Sequence, residues 1–126
     1  MKLRIKGNSL RLRVSRSEMA RLMQAGRIEE TIRFAPENDA KLTYALERSA
    51  AATEICVRYR PQEVTVTLPA EDARRWYEGN QAGLDRDVDL GDQVLAVLVE
   101  KDFACLNGSD EDNEDAFENP NRGATC

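Results

Sequence analysis

The chain has 126 residues, 41% of them apolar, no histidine and a formal net charge of −5. That is the length of one domain with enough apolar content for a core, so global disorder does not describe it. The missing histidine removes the commonest general base, the usual nucleophile triads and most zinc and iron sites.

From the N-terminus, residues 2–6 and 10–14 alternate, with Leu3, Ile5, Leu10, Leu12 and Val14 on one face. A period of two predicts two strands with that face toward a core. Gly7-Asn8-Ser9 between them tolerates positive φ and predicts a hairpin. The opposite face then gathers Lys2, Arg4, Lys6, Arg11 and Arg13. Ser15 and Glu18 form a capping box, Met19, Leu22 and Met23 follow at helical spacing, and Gly26 suits the left-handed end of that helix. Residues 27–34 and 42–47 read as two more strands, with Ile28, Ile32, Phe34, Leu42, Tyr44 and Leu46 inward. Glu30 shares that inward parity, which marks either a bulge or a break in the assignment.

After an alanine-rich joint at residues 49–53, a loop or one helical turn, the pattern returns. Residues 55–59 and 64–68 alternate around Pro61-Gln62, and Pro69 is placed for the first turn of a second helix bearing Ala73, Trp76 and Tyr77. Gly79-Asn80 closes it. Residues 84–90 put Leu84, Val88 and Leu90 on one face and Asp85, Asp87 and Asp89 on the other. Gly91-Asp92 turns the chain into residues 94–100, apolar on both faces and so a central strand. The expected fold is α+β: a duplicated strand-strand-helix-strand-strand unit over pseudo-repeats 1–48 and 54–101, with Leu22 and Trp76 equivalent. Packed about a pseudo-twofold axis, it would form one curved antiparallel sheet or a barrel with two short helices. The domain is expected to span residues 1–106, with 107–126 as an acidic, flexible tail.

Charge is polarised along this plan. Residues 1–33 carry nine Lys and Arg against three Asp and Glu, whereas residues 102–126 carry one against seven. The tail is therefore expected to lie, part of the time, over the basic face of Lys2, Arg4, Lys6, Arg11 and Arg13. That face has cations at phosphate-tracking spacing, yet no aromatic side chain is interleaved with them and the rest of the chain is acidic. Both points argue against a nucleic-acid partner, and a solvated strand face is the plain alternative.

In the tail, Asp110, Asp112 and Asp115 place oxygens at alternate positions like a calcium loop. Asp115 stands where such a loop needs glycine, and Asn121 where it needs a bidentate glutamate, so an EF-hand is excluded. A site for a divalent metal using Cys105, Asp110, Asp112 and Asp115 is the sharper reading, against a solvated tail and a small buried Cys105. Cys56, Cys105 and Cys126 are odd in number and widely spaced, which fits a reducing compartment rather than a disulfide framework. No apolar run approaches the ~20 residues of a membrane span, and residues 1–7 lack a signal-peptide core, so a cytoplasmic location is expected.

The opening MKLRIKGNSLRLR, the pair EETIRF and LTYALE, and the closing EKDFACL with acidic residues and ENPN resemble a small bacterial family of uncharacterised proteins, known only as a domain of unknown function. The resemblance covers nearly the whole chain. It implies a compact single domain in a bacterial cytosol and carries no activity, cofactor or catalytic residue with it. The functional expectation is a small non-catalytic binding or adaptor domain acting through protein contacts, with Trp76, Phe103 and Phe117 as candidate anchors. For Trp76, packing in the core is the competing reading. The alternative function is metal binding or delivery through Cys105 and the tail carboxylates.

Overall fold

The computed structural model describes residues 1–103 and 115–118. Two five-element halves follow one another. The first runs β1 (Lys2–Lys6), β2 (Ser9–Val14), α1 (Arg16–Ala25), β3 (Arg27–Arg33) and β4 (Lys41–Ser49). The second runs β5 (Cys56–Arg60), β6 (Glu63–Pro69), α2 (Ala70–Glu78), β7 (Gly83–Asp89) and β8 (Val94–Lys101). Gly7 turns the first hairpin at φ 54°, and Gln62 holds φ 68° in the corresponding turn between β5 and β6. Around α1 the Ser15 hydroxyl accepts from the Glu18 N–H while Glu18 accepts from the Ser15 N–H, and Gly26 closes the helix at φ 84°. Pro69 sits one residue outside α2, as its N-cap and the last residue of β6, rather than in the first turn.

The strands form two four-stranded sheets, not one sheet and not a closed barrel. Sheet A has the order β1-β2-β8-β7 and sheet B the order β3-β4-β6-β5. Each hairpin stays antiparallel, but the two hairpins of a sheet come from different halves and join through a parallel pair, β2 with β8 and β4 with β6. The all-antiparallel expectation is thereby corrected. β4 reaches β6 by way of β5, and β2 reaches β8 by way of both helices and the strands between, so each connection leaves enough chain to bring strands side by side in parallel, which a tight turn does not.

The halves exchange hairpins, so each sheet needs both. Registers correspond: Val14 stands opposite Lys101 as Leu68 stands opposite Arg48. At those positions both cations serve a helix end. Arg48 donates from Nε to the Leu22 carbonyl at 3.2 Å and from Nη2 to that of Met23 at 2.7 Å. Lys101 donates from Nζ to the Gly79 carbonyl at 3.0 Å. These carbonyls lie at helix C-termini, where acceptors run short of backbone donors and positive charge is favoured, although Leu22 also accepts from the Gly26 N–H.

The core lies between the inner sheet faces and the helices and is built from Leu10, Leu12, Val14, Leu46, Val66, Leu68, Val97 and Val99 with Met19, Leu22 and Trp76. Leu22 and Trp76 are both fully buried, one from each helix. Five side chains with inward parity lie beyond this core: Ile5, Ile32, Phe34, Tyr59 and Leu90 are 65%, 47%, 68%, 76% and 49% exposed. Alternation predicts the face of a strand but not how far along it a cover reaches. Glu30 makes no bulge, since the β3–β4 register runs unbroken through its pairing with Tyr44. Its carboxylate instead reaches the Met1 ammonium at 2.8 Å and the Tyr44 hydroxyl at 3.3 Å. Arg86, inward on β7, makes the corresponding reach to the Ile55 carbonyl at 2.5 Å and to Glu54 at 3.1 Å. One charged side chain on one edge strand of each sheet, β3 and β7, therefore ties that sheet to the chain entering the other.

Candidate protein-binding face

The inward parity of the apolar residues in sheet A leaves its other face to polar side chains, and strand order decides how these lie together. Across the sheet, the register aligns Arg4, Arg11, Leu98 and Asp85 in one row, and Lys6 and Ser9 with Ala96 and Asp87 in the next. A third row holds Lys2, Arg13, Glu100 and Gly83. Cations occupy β1 and β2, Ala96 and Leu98 form a narrow apolar strip on β8, and aspartates occupy β7. Ser9, Arg11, Ala96, Leu98, Asp85 and Asp87 line a shallow depression of about 320 Å³.

Two carboxylates next to the cations neutralise part of the basic half. Glu100 accepts from Arg11 Nε at 2.6 Å and from Arg13 Nε at 2.7 Å, and Asp102 meets Lys2 Nζ at 2.9 Å. Among the described residues, Arg4, Lys6, Asp85 and Asp87 have no ion-pair or side-chain hydrogen-bond partner. They are all exposed. Opposite charges are thus present on one face and held apart by the apolar strip.

The corresponding face of sheet B is built differently. Glu47 occupies on β4 the position of Glu100 on β8, and Arg27 on β3 that of Gly83 on β7. Arg27 contacts Glu47 at 3.1 Å, Glu63 at 2.9 Å and Glu29 at 3.2 Å. Arg58 reaches Glu47 at 2.6 Å, and the buried Thr67 hydroxyl donates to Glu47 at 3.0 Å. Burial works against the charge of Glu47, but the hydrogen bonds from Thr67 and Arg27 and the nearby Arg58 charge hold its carboxyl below the usual range. A hydrogen bond from Arg27, with a second from the Thr65 hydroxyl, does the same for Glu63. Here the ions interleave and satisfy one another.

The five cations expected on the first hairpin do share one face. The three aspartates of β7 and Glu100 join them there. Their outward parity was readable, but their place beside the cations depends on the β2–β8 pairing, which no local pattern signals. Asp115 and Phe117 do not lie over the basic face, and the rest of the tail expected there, residues 107–114 and 119–126, lies outside the described residues. Asp115 lies at the start of α1, where its carbonyl accepts from the Arg16 N–H at 3.1 Å and its carboxylate from the Ser17 N–H at 3.2 Å and from the Ser17 hydroxyl. Hydrogen bonds from Ser17 and Ser15 hold the Asp115 carboxyl below the ordinary carboxylate range. An anion at a helix N-terminus satisfies orphan N–H groups, which outcompetes exposed ion pairs on a strand face.

Phe117 continues this docking, its N–H donating to the Asp102 carbonyl at 2.8 Å, and its ring meets Phe103 edge-on at 6.2 Å with the Lys101 ammonium 5.4 Å from its centre. Phe103 and Phe117 are therefore half-buried against each other, and Trp76 is core, its indole N–H donating to the Ala82 carbonyl at 3.2 Å. None of these three presents the free aromatic surface expected of a partner anchor. Cys105, Asp110 and Asp112 lie outside the described residues. Among the described residues no group of three or more Cys, Asp or Glu is placed to hold a metal ion. No described helix is long and apolar enough to cross a membrane.

No curated protein and no solved structure matches the chain. A family described as of unknown function, DUF7009, matches residues 1–121, and the chain belongs to that family.

Proposed function

We propose that this chain is a small, non-catalytic cytosolic binding module that acts through protein contacts made by the outer face of sheet A. The observation that carries the reading is the segregation of charge there. A solvated strand face gains nothing by holding Arg4 and Lys6 apart from Asp85 and Asp87, and a face that meets a partner keeps such groups available for complementary charges. The apolar strip of Ala96 and Leu98 supplies a desolvated centre, with ions at the rim where they steer and select. The matching registers, the Arg48 and Lys101 helix ties and the Glu30 and Arg86 cross-sheet ties support reading the halves as copies of one unit. On that reading only one copy kept its outer face open.

The test is site-specific photo-crosslinking in the cells that express the chain. A crosslinker at Leu98 is expected to give a discrete protein adduct that disappears when Arg4→Glu and Lys6→Glu are combined. A crosslinker at Thr31, exposed on the outer face of sheet B, is the control and is expected to give none. No adduct at Leu98, or one indifferent to the charge reversal, overturns the reading.

A further inference from the structure

Resting on that binding-module reading, we infer that the occupant of the sheet A face is a second copy of this chain, docked face to face about a twofold axis parallel to the strands. The arrangement of charge selects both partner and axis. In the order β1-β2-β8-β7, rotation about an axis parallel to the strands and between β2 and β8 lays β1 over the other copy's β7 and β2 over its β8. Such a rotation keeps each row level. Arg4 then faces Asp85 of the partner subunit, and Lys6 faces Asp87 of the partner subunit, because each pair shares a row within one chain. Arg11 comes over the partner's Leu98, where its aliphatic stem can lie on the apolar strip, and Ser9 comes over the partner's Ala96. Arg4, Lys6, Asp85 and Asp87, the charges of this face without a partner among the described residues, are all matched by this one operation, and twice, as an isologous interface requires.

Other geometries and occupants fail on the same charges. A twofold axis perpendicular to the strands would lay β1 on β1 and set cations against cations. An acidic peptide along β1 and β2 would be repelled by Asp85 and Asp87, and a basic one along β7 by Arg4 and Lys6. A copy of the chain carries both signs in the required order. Aligned sheets pack about 10 Å apart, a gap that Arg and Lys side chains bridge to reach an aspartate. Four strands ~4.8 Å apart and six residues long give a footprint of about 400 Å² per copy, roughly half that of a standard interface. The dimer is therefore weak, rapidly exchanging and held by charge.

Sedimentation velocity of the full chain over a concentration series tests this. At low salt the wild type is expected to shift from monomer to dimer with concentration, and to revert in about 1 M NaCl, where the Debye length is ~3 Å. Two charge-reversed chains, Arg4→Glu with Lys6→Glu and Asp85→Lys with Asp87→Lys, are each expected to self-associate at least about tenfold more weakly. Mixed in equal amounts they are expected to pair, because the acidic β1 of one then meets the basic β7 of the other. Misfolding cannot produce that recovery. A wild type that stays monomeric, variants that dimerise unchanged, or a mixture that does not recover overturns the proposal. A crosslink from Leu98 to a different protein, with the wild type monomeric, removes the second copy but leaves the binding module. No crosslink at Leu98 removes both.

Discussion

The outer faces of the two sheets use the same skeleton for opposite ends. On sheet B, the edge arginine Arg27 reaches across to Glu47 and Glu63, and Thr65 and Thr67 fill the second strand with hydroxyls. On sheet A the position of Arg27 is taken by Gly83, and those of Thr65 and Thr67 by Arg11 and Arg13. Cross-strand neighbours on sheet B are of mixed kind, such as Arg60 opposite Glu63 and Arg58 opposite Thr65. On sheet A, Lys2 stands opposite Arg13 and Arg4 opposite Arg11. Like charges directly opposite one another destabilise a sheet, so sheet A gives up local stability that sheet B keeps. Burial does not separate the two, since Glu47 and Glu100 are similarly covered; the distribution of charge across the strands does.

The largest effect should come from Gly83. A Cβ built there would lie 2.5 Å from the Val99 carbonyl oxygen and 3.1 Å from the Glu100 Cα, both backbone. Backbone cannot step aside as a side-chain tip can, so Gly83→Ala should destabilise the fold by about 3 kcal/mol, measured by urea denaturation. This close approach also explains why sheet A cannot carry its own counterpart of Arg27. An unchanged midpoint for Gly83→Ala would mean that the glycine is incidental and the contrast has another origin.

Removing the shared carboxylate of each face should give unequal losses. Glu47→Ala leaves the buried Thr67 hydroxyl without its acceptor and Arg58 without a partner, a cost of about 2 kcal/mol. Glu100→Ala leaves Arg11 and Arg13, which are exposed enough to hydrate, so it should cost only about 0–1 kcal/mol. Equal losses would show that Glu100 is as structural as Glu47 and that the sheet A face is no more open than its counterpart.

The pH response should separate the faces further. The folded Glu47 carboxyl titrates below its unfolded value, so its contribution is fully present above the ordinary glutamate range of about 4.3. It is lost as pH falls through the lower folded value. Stability of the wild type should therefore fall on acidification through this window, and Glu47→Gln should make the fall shallower. An identical acid limb in both proteins would remove Glu47 from the account.

Much of this fold was legible in the sequence, because its signals are local. The Ser15–Glu18 capping box, Gly26 after α1, and the alternation of residues 2–6, 10–14, 64–68 and 84–90 placed the elements close to where they lie. The apolar run at residues 94–100 marked β8 as central. What was not legible is partnership. Nothing in residues 10–14 says that they pair in parallel with residues 97–101, so the exchange of hairpins between the halves and the meeting of the β1–β2 cations with the β7 aspartates were beyond reach. Total charge suggested the basic face for the whole tail, and the described part of it shows what such a count leaves out. Asp115 goes instead to a helix N-terminus, a geometric site that charge counting cannot see. Trp76 was open to two readings, partner anchor and core packing, and its full burial on α2 selects the second.

The smallest effect is the most discriminating between a face built for stability and one built for contact. Arg4 stands opposite Arg11 in the β1–β2 register, is exposed, and has no ion-pair partner among the described residues. In the isolated monomer it therefore contributes repulsion without a compensating pair. Arg4→Gln should leave stability within about 0.5 kcal/mol, and at low salt and low protein concentration should raise it slightly by relieving a like-charge pair. Salt at about 1 M should erase that gain, since screening removes the repulsion in both proteins. The corresponding change on sheet B, Arg58→Gln, removes the contact with Glu47 and should lower stability slightly. Urea midpoints of the two variants at low and high salt give the comparison. A loss of more than about 1 kcal/mol for Arg4→Gln would mark Arg4 as a structural charge, since surface substitutions without such a role stay inside that range. The free cations of sheet A would then be holding the sheet together rather than waiting for a partner.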